Sequence, residues 1–388
     1  MNRHTGQPDP GSPQLPRLTR RTLIGGSALT ATALGLGATG PAYAARGPLA
    51  RPDRPRNRRF ARLGDTSGTW VGGDSTYSVP LPDGSIAWIF SDTLYGPVHD
   101  GQLSPTDSWF LHNSIVLERG GRLTAITGGT PEAPTSLVDL QPEDRRWYWF
   151  GAATLRPGAG DRADQLQVVV LEFEKTGDDA FDFAWRGNGV ATIDTQTWQV
   201  TSVDDLPSDT NTHWGSWIQR QDDQVLVHGV EDLGANKYMH VARVASDNLA
   251  DRGAWTFWDG TGWSPEESDS ARIMVGVSNE YSVTPYAGGH LLVTQDTLEP
   301  LSARILAYRS SSPTGPFTDP VELYRTPETG AAGSYGNPNI FTYNAHEHPH
   351  LRRGNRLTIS YNVNSFASDE LYADVTIYRP RFIQVDQT

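Results

Sequence analysis

Two aspartates bracket a short hairpin in this chain, and carboxyls so placed can do acid/base or nucleophilic chemistry on a sugar. Asp74 stands in Gly72-Gly73-Asp74-Ser75-Thr76, just before the apolar run Tyr77-Ser78-Val79-Pro80-Leu81. A turn at Pro82-Asp83-Gly84 leads into Ser85-Ile86-Ala87-Trp88-Ile89-Phe90, and Asp92 follows at once in Ser91-Asp92-Thr93. A hairpin folds back on itself, so its two open ends become neighbours. Aspartate also favours strand ends as a turn former. Here both acids share one hairpin end with Ser, Thr and aromatic residues, which favours a catalytic role.

Other residues could complete such a site. Glu280, in Val277-Ser278-Asn279-Glu280-Tyr281-Ser282, opens an apolar strand although Glu is a poor strand former. It is either a general acid whose pKa burial raises, or structural glue paired with Arg272 or Arg243. His346-Glu347-His348-Pro349-His350 has the look of a metal box. Pro349 and the absence of helical spacing favour sugar hydrogen bonding or a structural role instead, so no metal and no cofactor is expected. His112 and Asn113 stand at a strand start beside the first hairpin. Asn344 and His346 follow Tyr343 in the last apolar repeat. Trp147, Trp149, Trp214, Trp217, Tyr77 and Tyr343 could stack on sugar rings, with most of them expected in the core. The substrate-binding set is therefore Tyr77, His112, Asn113, Trp214, Tyr343, Asn344 and His346.

These residues need elements to carry them. Helical periodicity is almost absent. A polar turn followed by an apolar strand recurs five times: at Asp83-Gly84, Asp164-Gln165, Asp222-Asp223, Gly288-Gly289 and Gly354-Asn355. Further strands precede and follow each one, the last being Ala373-Asp374-Val375-Thr376-Ile377-Tyr378 and Arg381-Phe382-Ile383-Gln384-Val385. About four short strands per repeat is the pattern of propeller blades, so the expectation is an all-β, five-bladed β-propeller. A β-sandwich with long loops is the competing architecture. In a propeller the first strands of all blades line one channel, so polar residues at their starts converge.

The ends carry different information. Thr19-Arg20-Arg21-Thr22-Leu23-Ile24, a weakly apolar run and Ala42-Tyr43-Ala44 form a twin-arginine signal with cleavage expected after Ala44, which implies secretion. Residues 45–62 hold seven arginines among prolines and suggest a disordered basic linker, with tethering to anionic envelope polymers as a functional alternative. Residues 63–388 would then form one catalytic domain. The whole chain has a formal net charge of −13, and residues 45–388 retain 28 basic against 44 acidic side chains. That balance disfavours nucleic acid or anionic membrane as the main partner. There is no Cys, hence no disulfide or thiolate site. The mature chain is expected to be a monomer without an integral membrane segment.

The run Gly73 to Gly84, the strand end Trp88-Ile89-Phe90-Ser91-Asp92-Thr93 and His112-Asn113-Ser114 resemble the opening blade of a group of secreted bacterial five-bladed propellers. That group includes endo-D-arabinanases acting on mycobacterial-type cell-wall arabinan. Tyr343-Asn344-Ala345-His346, Ile359 to Asn364 and Tyr378-Arg379-Pro380-Arg381-Phe382 resemble its last blade. The resemblance implies a glycoside hydrolase cleaving arabinofuranosyl-type linkages in cell-wall polysaccharide, with Asp74 and Asp92 as the catalytic carboxyls. Retaining enzymes hold their carboxyls about 5–5.5 Å apart and inverting ones about 6.5–9.5 Å. One hairpin end suits the shorter distance, with Asp92 as nucleophile; Glu280 facing Asp74 would favour inversion. A carbohydrate-binding propeller without catalysis and a hydrolase of another furanoside or a sialoside are the alternatives.

Overall fold

Turn chemistry sets the first hairpin. Gly84 takes φ 80°, which Gly adopts without strain, and Asp83 Oδ1 accepts from the Ser85 amide at 2.9 Å. The computed structural model, which describes residues 48–140, 145–158, 163–179 and 181–387, pairs Tyr77–Pro80 antiparallel with Ile86–Phe90. The signal segment, residues 1–44, lies outside the described residues. At the open end the Asp74 amide donates to the Asp92 carbonyl at 3.2 Å, and the Ser91 amide donates to the Asp74 carbonyl at 3.2 Å.

That hairpin starts the first of five antiparallel meander sheets of four or more strands among the described residues. Ser114–Arg119 and Arg122–Ile126 complete it. The second sheet runs Arg146–Arg156, Gln165–Lys175, Phe183–Asp194 and Val200–Asp205. The third begins Thr212–Gln221, Gln224–Asp232, Lys237–Ala245 and carries short extra strands beyond. The fourth is Tyr281–Tyr286, Gly289–Gln295, Arg304–Ser310 and Thr318–Arg325. The fifth joins Ile340–Glu347, Arg356–Ser365, Arg381–Asp386 and the N-terminal strand Leu49–Pro52. The five repeats seen in sequence are the second strand of each sheet.

The first strand of each of the first four sheets packs against the first strand of the next. The fifth sheet meets the first through the His346 ring, stacked on Tyr77 at 4.5 Å, and through Asn362 Nδ2, 2.9 Å from Thr76 Oγ1. The fold is thus all-β and propeller-like. Sheets covered on both faces need apolar residues on both sides of a strand, which is why Val168, Val169 and Val170 are consecutive and all buried.

Two expectations fail at the termini. Residues 45–62 are not a disordered linker where described: Leu49–Pro52 is a strand and Arg54–Thr66 a helix. Asp53 caps that helix, accepting from the Arg56 amide at 3.2 Å, and Pro55 occupies the first turn, where its missing N–H costs nothing. Leu49 pairs with Asp386 and Pro52 with Ile383, so the N-terminal strand covers an edge that the C-terminal strand would otherwise expose. The arginine content signalled disorder, but Phe60 and Leu63 give the segment an apolar face. Phe60 packs against Trp70, Trp88, Phe90 and Phe382 with centroids 5.3–6.0 Å apart. Nor is the 373–378 segment a strand; the short helix Asp369–Ala373 and turns replace it. No helix among the described residues is long and apolar enough to cross a membrane.

Phe60→Ala is expected to lower the unfolding free energy by about 3–5 kcal/mol, measured by denaturant titration. A loss under about 1 kcal/mol would show that the helix is not part of the core.

Candidate active site

Three carboxyls meet where the first strands of the sheets begin. Asp74 Oδ2 accepts from the Tyr343 hydroxyl at 2.7 Å, while its buried Oδ1 has no partner. Glu280 Oε1 accepts from Ser75 Oγ at 2.7 Å and Asn344 Nδ2 at 2.8 Å, while its buried Oε2 has no partner. Asp92 Oδ1 is 2.9 Å from His112 Nδ1 and accepts from Trp149 Nε1 at 2.7 Å. Among the described residues no Lys or Arg pairs with any of the three. Arg272 is engaged by Glu231 at 2.6 Å and Arg243 stacks over Trp263, so neither holds Glu280.

Local backbone geometry aims these groups. Ser75 and Thr76 take φ 66° and 65° in succession between the strands Trp70–Gly73 and Tyr77–Pro80. A β-branched residue with positive φ is a steric outlier costing about 1–3 kcal/mol. That turn points Ser75 Oγ at both Glu280 and Ser91 Oγ, the latter at 2.8 Å. Asn344 sits at φ 58° inside a bulge where register shifts between Tyr343 and His346. A bulge re-aims side chains, and here Tyr343 and Asn344 reach two different acids. Gly72 has no alternative: a Cβ would lie 2.1 Å from the Tyr378 carbonyl oxygen, and the Tyr378 hydroxyl is one of the groups that lower the Asp74 pKa.

Desolvation and mutual repulsion act on the acids. Burial, with the Asp92 charge second, pushes Asp74 up to about 7 against the lowering effect of the Tyr343 and Tyr378 hydroxyls. Burial and the Asp74 charge hold Glu280 well above the carboxylate range. His346 Nδ1 lies 3.9 Å from Glu280 Oε2, but burial lowers His346 to about 4, so it is neutral there.

The candidates separate into three groups. Asp74, Asp92 and Glu280 converge. Tyr343, Asn344, His346 and His112 hold or adjoin them; His346 also stacks on Tyr77 and its Nε2 is 3.2 Å from the Thr76 carbonyl oxygen. Tyr77, Asn113 and Trp214 are corrected from substrate contacts to framework. Tyr77 is buried and donates to the Ser216 carbonyl at 2.8 Å. Asn113 spends its amide on the Val138 and Tyr148 carbonyls and accepts from the Val138 amide. Trp214 lies in the core beside Trp255 and Phe257, its indole donating to Glu267 at 3.0 Å. His348 is separately satisfied by Ser78 and Ser360 at 2.6 and 2.9 Å. Ser75 and Tyr378 were missed; positive φ and a close backbone approach leave no signature in residue type. Trp149, a stacking candidate in sequence, instead fixes Asp92.

The class so defined is an all-β, propeller-like protein with three convergent carboxyls that no Lys or Arg pairs among the described residues. The chain belongs to the family described as a domain of unknown function, DUF5005, whose model matches residues 57–387. No curated protein matches it in sequence. A crystal structure from Bacteroides ovatus, of a protein described as a putative hydrolase, is similar at TM-score 0.70 and 22% identity, covering 87% of this chain and 90% of that one. A family 43 β-1,3-galactosidase (TM-score 0.47, 9% identity, 82% and 92% covered) is also similar. So is an α-L-arabinofuranosidase from Podospora anserina (0.44, 10%, 83% and 93%).

Asp74 binds its proton more tightly folded than unfolded, so its stabilising contribution is full below about pH 4 and is lost as pH rises through about 7. Glu280 acts in the same direction. Asp74→Asn should therefore flatten the fall in Tm between pH 5 and 8, measured by calorimetry. An unchanged slope would contradict the raised pKa.

Proposed function

We propose that the chain is a secreted glycoside hydrolase, its five sheets forming the blades of a closed five-bladed propeller and its site using Glu280 as general acid. The observation that carries this reading is the pair of unpartnered, buried atoms Asp74 Oδ1 and Glu280 Oε2 in one small region. Glu280, whose pKa is raised, supplies a proton to the glycosidic oxygen. Asp74, ionised near and above pH 7, accepts a proton from water. Asp92 tunes Asp74 by charge and is itself held by His112 and Trp149. This division of labour favours inversion over the retaining pair that the hairpin suggests, because the second reacting carboxyl faces Asp74 from another sheet. The description of the Bacteroides ovatus protein accords with it. The motif resemblance makes arabinofuranosyl linkages of cell-wall polysaccharide the first substrates to test, and the twin-arginine pattern supports export.

Arabinogalactan, arabinan and a panel of plant polysaccharides should be incubated with the protein and assayed for released oligosaccharides. Release is expected, and Glu280→Gln should reduce it by about 10²–10⁴-fold. No release from any polymer would favour a carbohydrate-binding role without catalysis. Removing the Asp92 charge lowers the Asp74 pKa, so Asp92→Asn should move the ascending limb of the kcat/KM profile to lower pH. A limb that stays put would remove Asp92 from that role.

A further inference from the structure

The N-terminal helix carries more positive charge than its packing uses. Arg56 turns inward, lies 5.0 Å over the Trp88 ring and bonds Glu118 at 3.0 Å. Arg59 pairs with the other Glu118 oxygen at 2.9 Å. Arg54, Arg58 and Arg62 are exposed, and among the described residues none has an ion-pair partner. Their i, i+4, i+8 spacing puts them on one face about 6 Å apart along the axis. Like charges so placed destabilise a helix, and cations in its first turn oppose the helix dipole. No acidic residue occupies that first turn. The fold therefore gains nothing from these three side chains.

A second segment adds to the same face. Arg353 is exposed, has no ion pair among the described residues, and lines with Arg58, Arg59 and Arg62 a groove of about 840 Å³. The acid in that groove, Asp65, is engaged by Arg379 at 2.8 Å. Arg353 belongs to the connection that follows Ile340–Glu347, beyond the end of the strand away from its start near Tyr343. The groove is thus separate from the three carboxyls. The chain's overall acidity does not oppose anion binding here, because at about 0.1 M salt charges more than about 10 Å away are largely screened.

We propose that Arg58, Arg62 and Arg353, with Arg54 extending the row along the same helix face, form a docking groove for a polyanionic glycan, one bearing carboxylates or phosphodiesters along its length. Guanidinium groups suit both, since each presents a bidentate fork to a planar or tetrahedral oxyanion. A row of cations about 6 Å apart fits a repeating polymer better than a single small anion. Its use as a tether during polysaccharide cleavage rests on the proposed hydrolase function; the binding itself does not.

The test measures binding of the full chain to polygalacturonate, to a glycerol-phosphate polymer and to neutral dextran, by affinity electrophoresis at 50 and 300 mM NaCl. Binding to at least one anionic glycan, weakened by salt, and none to dextran are expected. Arg58→Glu/Arg62→Glu/Arg353→Glu should weaken binding at least tenfold with Tm unchanged. The milder Arg54→Gln/Arg58→Gln/Arg62→Gln provides the same comparison if the first variant is unstable. Glu280→Gln should bind like the wild type, whatever the outcome of the hydrolysis assay. Equal binding by wild type and arginine variants, or no binding to either anionic glycan, overturns the proposal. Tighter binding to duplex DNA than to both glycans overturns the choice of partner.

Discussion

Three carboxyls share one partly dehydrated region in which, among the described residues, no Lys or Arg pairs with them, and the rest of the architecture accommodates that constraint. Charges removed from water are costly unless paired. The arginines weighed as partners for Glu280 serve elsewhere: Arg272 pairs with Glu231 and Arg243 stacks over Trp263. The acids instead receive hydroxyl, amide and indole donors, and two of them retain their protons to unusually high pH. A buried carboxyl that titrates near or above neutrality can give or take a proton when a substrate enters.

Supporting such a cluster requires irregular backbone on otherwise regular strands. The first strands of the second, third and fifth sheets all change register, between Phe150 and Ala153, Trp214 and Trp217, and Tyr343 and His346. The first sheet uses the successive left-handed residues Ser75 and Thr76 instead. The strain is held in place by Asn362 on Thr76 Oγ1 and His346 on the Thr76 carbonyl, both from the fifth sheet. The fifth sheet in turn ends on the N-terminal strand, so the site's geometry is linked to the helix that follows it through Phe382 and Phe60.

Much of this was legible in the residues. Short continuous apolar runs after polar turns located the second strand of every sheet, because apolar runs and turn chemistry are local properties. Hairpin closure brought Asp74 and Asp92 together, and an acid at a strand start singled out Glu280. What was hidden depends on distant atoms. Tyr77, Asn113 and Trp214 have the chemistry of substrate contacts, yet their polar atoms are spent on Ser216, Val138 and Glu267. The arginine-rich segment concealed an amphipathic helix whose apolar partners, Trp88 and Phe382, lie far along the chain.

The central claim is that shared burial makes Asp74 titrate near pH 7 and Glu280 well above the ordinary carboxylate range. The most direct measurement is a ¹³C NMR titration of the side-chain carboxyls, assigned with Asp74→Asn and Glu280→Gln. The account predicts one carboxyl titrating near pH 7, assigned to Asp74, and a second, assigned to Glu280, well above the ordinary range. Ordinary titration of both below about pH 5 would contradict it.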